Sequence, residues 1–132
     1  MNRRHIFALA ALIVTTPVLA RAAGGEKKMA GGESYLPVRT MLGMTLRGAN
    51  ARGVLSVDCG LDVPDAALRT RADQLLPRLR DSYVQIVQAY AAGLPAGALP
   101  NVDYLASALQ RQTNALLGKP GARVLLGAVI VN

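Results

Sequence analysis

Histidine is almost missing from this chain. The only one among its 132 residues is His5, in the first few positions. Beyond residue 5 the commonest general base and the commonest metal ligand are therefore gone. That count excludes Cys/His zinc sites and Ser-His-Asp or Cys-His triads from the body of the protein. Cysteine is nearly as scarce: Cys59 stands alone, so no internal disulfide can form. Tryptophan is absent, the single phenylalanine is Phe7, and four tyrosines supply the remaining aromatics. So few rings make a poor stacking platform for single-stranded nucleic acid. Acidic residues number only 8 against 15 basic ones. No apolar run reaches the roughly 20 residues that a membrane-spanning helix requires.

What is present begins with an export signal. Met1-Asn2-Arg3-Arg4-His5 is a positive opening, and Ile6 to Val14 is an apolar stretch. Thr15, Thr16 and Pro17 break it, and Val18-Leu19-Ala20-Arg21-Ala22 closes it. Ala20-x-Ala22 meets the small-residue rule for signal peptidase, so residues 1–22 read as a signal peptide cleaved after Ala22. Val18-x-Ala20 is a second cleavage choice, and an uncut segment acting as an inner-membrane anchor is the minor alternative. Arg3-Arg4, an intervening residue and two apolar residues resemble the twin-arginine signal, with Asn2 in place of its usual Ser or Thr. An ordinary Sec signal carrying two arginines is the other reading. The expected destination is the periplasm. Loss of the signal removes Arg3, Arg4 and Arg21, leaving twelve basic residues (15 − 3) against eight acidic, a mild +4. The remaining 110 residues (132 − 22) suffice for one domain with a modest core.

Residues 23–34 hold four glycines with charges between them and read as a flexible linker before a domain at 35–132. Residues 37–47 read as a strand, followed by a Gly/Asn turn at 48–53. Over 54–63, Leu55, Val57, Cys59, Leu61 and Val63 alternate with Ser56, Asp58, Gly60 and Asp62, which predicts a half-buried second strand. The two make an antiparallel hairpin. Pro64-Asp65 opens a helix whose apolar stripe runs from Leu68 to Tyr90 and stays in phase across Pro77. One kinked helix is expected there, rather than two. After a loop at 93–100, Asn101 caps a second helix with Tyr104, Leu105, Ala108, Leu109, Gln112 and Leu116 on its inner face, ended by Gly118. Residues 122–131 are apolar almost throughout, which predicts a last strand buried on both faces and central in the sheet. The fold class is α+β, in the order β-β-α-α-β.

Few groups could carry chemistry. Asp58 and Asp62 share a strand face, but that face reads as solvated. Cys59 falls on the apolar face as a small buried hydrophobe. Arg69, Arg71, Arg78 and Arg80 flank the apolar stripe. They are either a solvated flank paired with Asp73 and Asp81, or a basic edge for contact with an acidic partner. Gly93, Gly97 and Gly118 match no phosphate-binding loop. No catalytic residue, metal site, cofactor or nucleic-acid partner is expected.

Residues 54–131 resemble the periplasmic domain of the FliL family of flagellar basal-body-associated proteins. The resemblance rests on the strand ending in Leu61-Asp62-Val63 and on Leu75-Leu76-Pro77-Arg78-Leu79-Arg80-Asp81. It continues through Leu105 to Asn114-Ala115-Leu116-Leu117 and the final strand from Val124 to Val131. It implies a fold related to the stomatin/prohibitin domain and a non-enzymatic role supporting the motor's stator through protein contacts or self-association. Members of that family usually keep an uncleaved membrane helix where this chain has its signal-like segment. The alternative function is a stand-alone periplasmic binding module for an envelope component or a small ligand.

Overall fold

The computed structural model describes residues 32–47 and 50–132. The expected signal peptide, with Arg3, Arg4, Ala20 and Ala22, lies outside the described residues. So do linker residues 23–31 and turn residues 48 and 49.

The architecture is α+β, with a three-stranded antiparallel sheet covered by helices. Gly32–Ser34 form a short 3-10 turn leading into strand β1, Tyr35–Arg47. Strand β2, Ala51–Asp62, returns beside it, paired from Tyr35↔Asp62 to Arg47↔Ala51. Ser34 ties the entry down: its hydroxyl donates to Asp62 at 2.6 Å and its carbonyl accepts from the Val63 amide at 2.8 Å. Helices α1 (Ala66–Gln74), α2 (Leu76–Ala92) and α3 (Val102–Leu117) follow, then strand β3, Arg123–Val131.

The expected single kinked helix is two helices. A proline at 77 within a continuous helix would press its ring on the Asp73 carbonyl and leave that carbonyl without a donor. The chain instead stops α1 at Leu75, whose ψ of 3° departs from the helical value, and restarts. Pro77 then sits in the first turn of α2, where an N–H would have no helical partner anyway. Asp65 caps α1 by accepting from the Leu68 amide at 3.0 Å, and Asn101 caps α3 by accepting from the Tyr104 amide at 3.0 Å. Gly118 ends α3 in the left-handed conformation, φ 76°.

The final strand is also placed differently from expectation. The sheet order is β1-β2-β3, so β2 is central and β3 is an edge. Strand β3 pairs antiparallel with β2, from Leu55↔Val131 to Asp62↔Arg123. Its inner-face Val124 is buried, but Ile130 on the opposite face is exposed. The helices cover one face only, so a strand that is apolar on both faces must show one of them to solvent.

The core lies between sheet and helices. Met41, Leu55, Val57 and Leu61 from the strands meet Leu79, Tyr83 and Val87 of α2 and Leu105 and Leu109 of α3, all essentially fully buried. Each such aliphatic side chain contributes about 1.5–3 kcal/mol. Tyr83 and Thr113 satisfy each other's hydroxyls inside this layer, and Thr113 also donates to the Leu109 carbonyl at 2.7 Å. Helix α2 approaches β1 very closely at Gly43, where a Cβ would fall 2.6 Å from that of Ala91.

Candidate interaction surface

Strand β2 is regular along its whole length, so its parity defines both faces of the sheet. Gly53, Leu55, Val57, Cys59 and Leu61 point inward and are buried. Arg52, Val54, Ser56, Asp58 and Asp62 point outward. Register then adds the outward neighbours. Leu42 and Ile130 flank Ser56, Met44 flanks Val54, and Leu46 flanks Arg52. In a sheet with one covered face, outward positions are normally polar. Here they carry Leu42 at 56% exposure, Met44 at 56%, Leu46 at 58%, Ile130 at 49% and Val54 at 39%. The inward partners in the same stretch of β1 are Gly43, kept small by the approach of α2, and Thr45. The bulky apolar residues of this stretch therefore lie on the bare face.

Asp58 bounds this apolar area. Both edge strands bulge at its level, β1 between Val38 and Met41 and β3 between Leu126 and Val129. The Thr40 hydroxyl donates to the Asp58 carboxylate at 2.5 Å. The absence of a side chain at Gly127 lets β3 pass close by, since a Cβ there would come within 3.3 Å of the Asp58 Cβ. Asp62 is occupied separately, by Ser34. Four residues of strand hold the two carboxylates about 14 Å apart. They share a face, as expected, without forming a pair.

Cys59 lies on the inward side at 5% exposure. Burial, with a smaller contribution from the Asp58 charge, pushes its thiol up to about 12, so it is protonated at neutral pH. The Tyr35 phenol is also raised, first by burial and then by the charges of Cys59 and Asp58.

The four arginines stand on two helices, and within each pair they are about 200° apart around the helix. Arg69 on α1 donates to the carbonyls of Val63 at 3.0 Å and Pro64 at 3.3 Å, holding the strand-to-helix connection. Arg71 is exposed and lines a cleft with Leu117, Gly118 and Lys119. Arg78 is exposed on α2. Arg80 is half-buried beside Val38, Thr40, Asp58 and Cys59 in a cavity of about 550 Å³. Its Nε has no hydrogen-bond partner among the described residues. Neither Asp73 nor Asp81 forms an ion pair among them.

A second concavity was not foreseen. A groove of about 960 Å³ runs between α2 and α3, lined by Ile86, Tyr90, Leu94, Tyr104, Ala108 and Arg111, among others. Tyr90 and Tyr104 stack with ring centroids 5.5 Å apart, and the Tyr90 hydroxyl accepts from the Asn101 amide at 2.6 Å. Tyr104, expected on the inner face of its helix, is 51% exposed at this groove. Tyr104 sits about 100° around the helix from the fully buried Leu105, so it falls on the flank of the apolar stripe that faces the groove.

Among the described residues no group of three or more His, Cys, Asp or Glu could hold a metal ion. No described helix is long and apolar enough to cross a membrane. No protein-family model matches the chain, and no curated protein matches it.

Proposed function

We propose that this protein is a non-enzymatic interaction protein of the periplasm that docks through the bare face of its sheet. One observation carries the reading: five large apolar side chains, Leu42, Met44, Leu46, Val54 and Ile130, share a solvent-facing surface that Arg52 borders at the Leu46 end. A contiguous apolar patch on the order of 500 Å² is the size of the largest patch that a monomer exposes, and such patches are often functional. The neighbouring groups fit binding better than reaction. Asp58 is bonded to Thr40, Asp62 to Ser34, and the Cys59 thiol stays protonated. Export rests on residues 1–22, and the FliL resemblance of residues 54–131 makes a flagellar partner the first to test.

The test replaces the chromosomal gene by a Leu42→Asp/Met44→Asp version. Both side chains already face water, so folding should be preserved, which circular dichroism of the purified variant checks. The variant is expected to reproduce the phenotype of deletion, with swimming scored first. Unchanged swimming after deletion removes the flagellar assignment. A deletion phenotype that the variant does not share removes the docking face.

The groove between α2 and α3 favours the alternative, a binding module for a small ligand. Its volume lies within the roughly 300–1,000 Å³ usual for such sites. Ala108→Trp would fill it, and loss of function in that variant with an intact sheet face would support this second reading.

A further inference from the structure

We propose that the occupant of the bare sheet face is the same face of a second copy, in a closed two-fold dimer. This rests on reading that face as the docking surface. The first argument is area. One patch presents on the order of 500 Å² of apolar surface, so two together bury about 1,000 Å², the floor for a specific interface. The second is charge. Leu42, Met44, Val54, Ser56 and Ile130 carry none, so two copies of the patch do not repel each other.

The outward row of β2 carries opposite charges at its two ends, with Arg39 also lining the cavity at the Asp58 end. Along the outward row of β2, Arg52 stands at one end and Asp58 at the other, about 20 Å apart. Antiparallel stacking about a two-fold axis between Val54 and Ser56 lays Arg52 over the partner's Asp58, and the reverse contact follows by symmetry. The same operation sets Leu42 against the partner's Met44. Sheets stack in this way at about 10 Å with their strands within about 30°. A strongly acidic or strongly basic partner would find only one end of the row favourable. Cys59 points into the core and cannot bridge the copies.

The experiment uses the protein recovered from cells after export, with its own N-terminus, in sedimentation runs over roughly 1 to 100 μM. Wild type is expected to form a reversible dimer that reductant does not change. Leu42→Asp/Met44→Asp should raise the dissociation constant by 100-fold or more at unchanged circular dichroism. Gln85→Asp on the exposed side of α2 should leave it alone. Arg52→Asp should weaken the dimer, and adding Asp58→Arg should restore it, which only the crossed arrangement predicts. As a check independent of the disruptive variants, Met44→Cys in a Cys59→Ala background should be cross-linked to itself by a short bis-maleimide. A monomer throughout the range, a larger assembly, or a dimer that survives the double substitution overturns the proposal. A monomeric wild type whose Leu42→Asp/Met44→Asp variant still fails in cells overturns the second copy but keeps the docking face. A variant that works normally in cells removes the docking face itself.

Discussion

Cys59 shows how a single side chain is decided at two levels. Its inward orientation is legible from the alternation of residues 54–63, since period two leaves no other face for it. Its chemistry depends on depth. Burial raises its thiol from 9.0 to about 12, and burial, partly offset by the Thr113 hydrogen bond, raises the Tyr83 phenol from 10.0 to about 12. Between those values the unfolded chain has released protons that the folded chain still holds. Stability is therefore complete below about pH 9 and falls as pH rises through about 12. Urea midpoints at several pH values should decline steadily over that window. Cys59→Ala lowers the starting stability, because it trims the core, but it should delay the onset of decline to about pH 10, where the unfolded tyrosine begins to titrate. An onset that stays near 9 in the variant would show that Cys59 is not the source. Thr45 is a residue that sequence could not place. Its hydroxyl is buried without a partner among the described residues, beside a cleft it shares with Leu94, Pro95 and Leu99 of the loop after α2.

At the scale of elements, the caps were readable and the continuity of α1 and α2 was not. Asn101 and Gly118 mark their helix ends by local chemistry, a side-chain acceptor and a positive φ, and neither needs the rest of the molecule. The apolar stripe from Leu68 to Tyr90 stays in phase because α1 and α2 both pack on one core, and shared phase does not require a shared axis. The break at Leu75 is testable through Pro77. In a helix interior, Pro77→Ala would stabilise by about 3 kcal/mol. In the first turn of α2 it should instead destabilise by about 0.4–1 kcal/mol, through the freedom it returns to the unfolded chain. Denaturant titration distinguishes the two by sign. The composition of residues 122–131 marks a strand but not its edge position, since apolar residues on both faces read equally well as burial and as an uncovered contact surface.

At the scale of the molecule the governing fact is a sheet that, among the described residues, is covered on one side. Among the described residues, strand β2 has hydrogen-bonded neighbours on both sides, while β1 and β3 each present an open edge. Native-state hydrogen exchange should find its slowest amides in β2 around Leu55 to Leu61, and faster exchange along the outer edge of β3. Equal protection of the β3 edge would mean that another chain pairs with it, a different assembly from the stacked sheets proposed above. The candidate surface belongs to this scale. Leu42, Met44 and Leu46 alternate with Met41, Gly43 and Thr45, and hydrophobicity alone would send the first set inward. The approach of α2 at Gly43 decides otherwise, because only small residues fit beneath it.

The sequence by itself determined the class of the fold, the hairpin, the inward set of β2, the caps of α3 and the lack of histidine chemistry beyond residue 5. All of these follow from interactions spanning a few residues, or from counting. Tertiary structure alone decided that β2 is the central strand, that the long helical stretch is two helices, and which face of β1 is bare. Those outcomes depend on contacts between segments far apart in the chain. They are set by which faces the helices can cover, a limit of area and approach distance that no local pattern encodes.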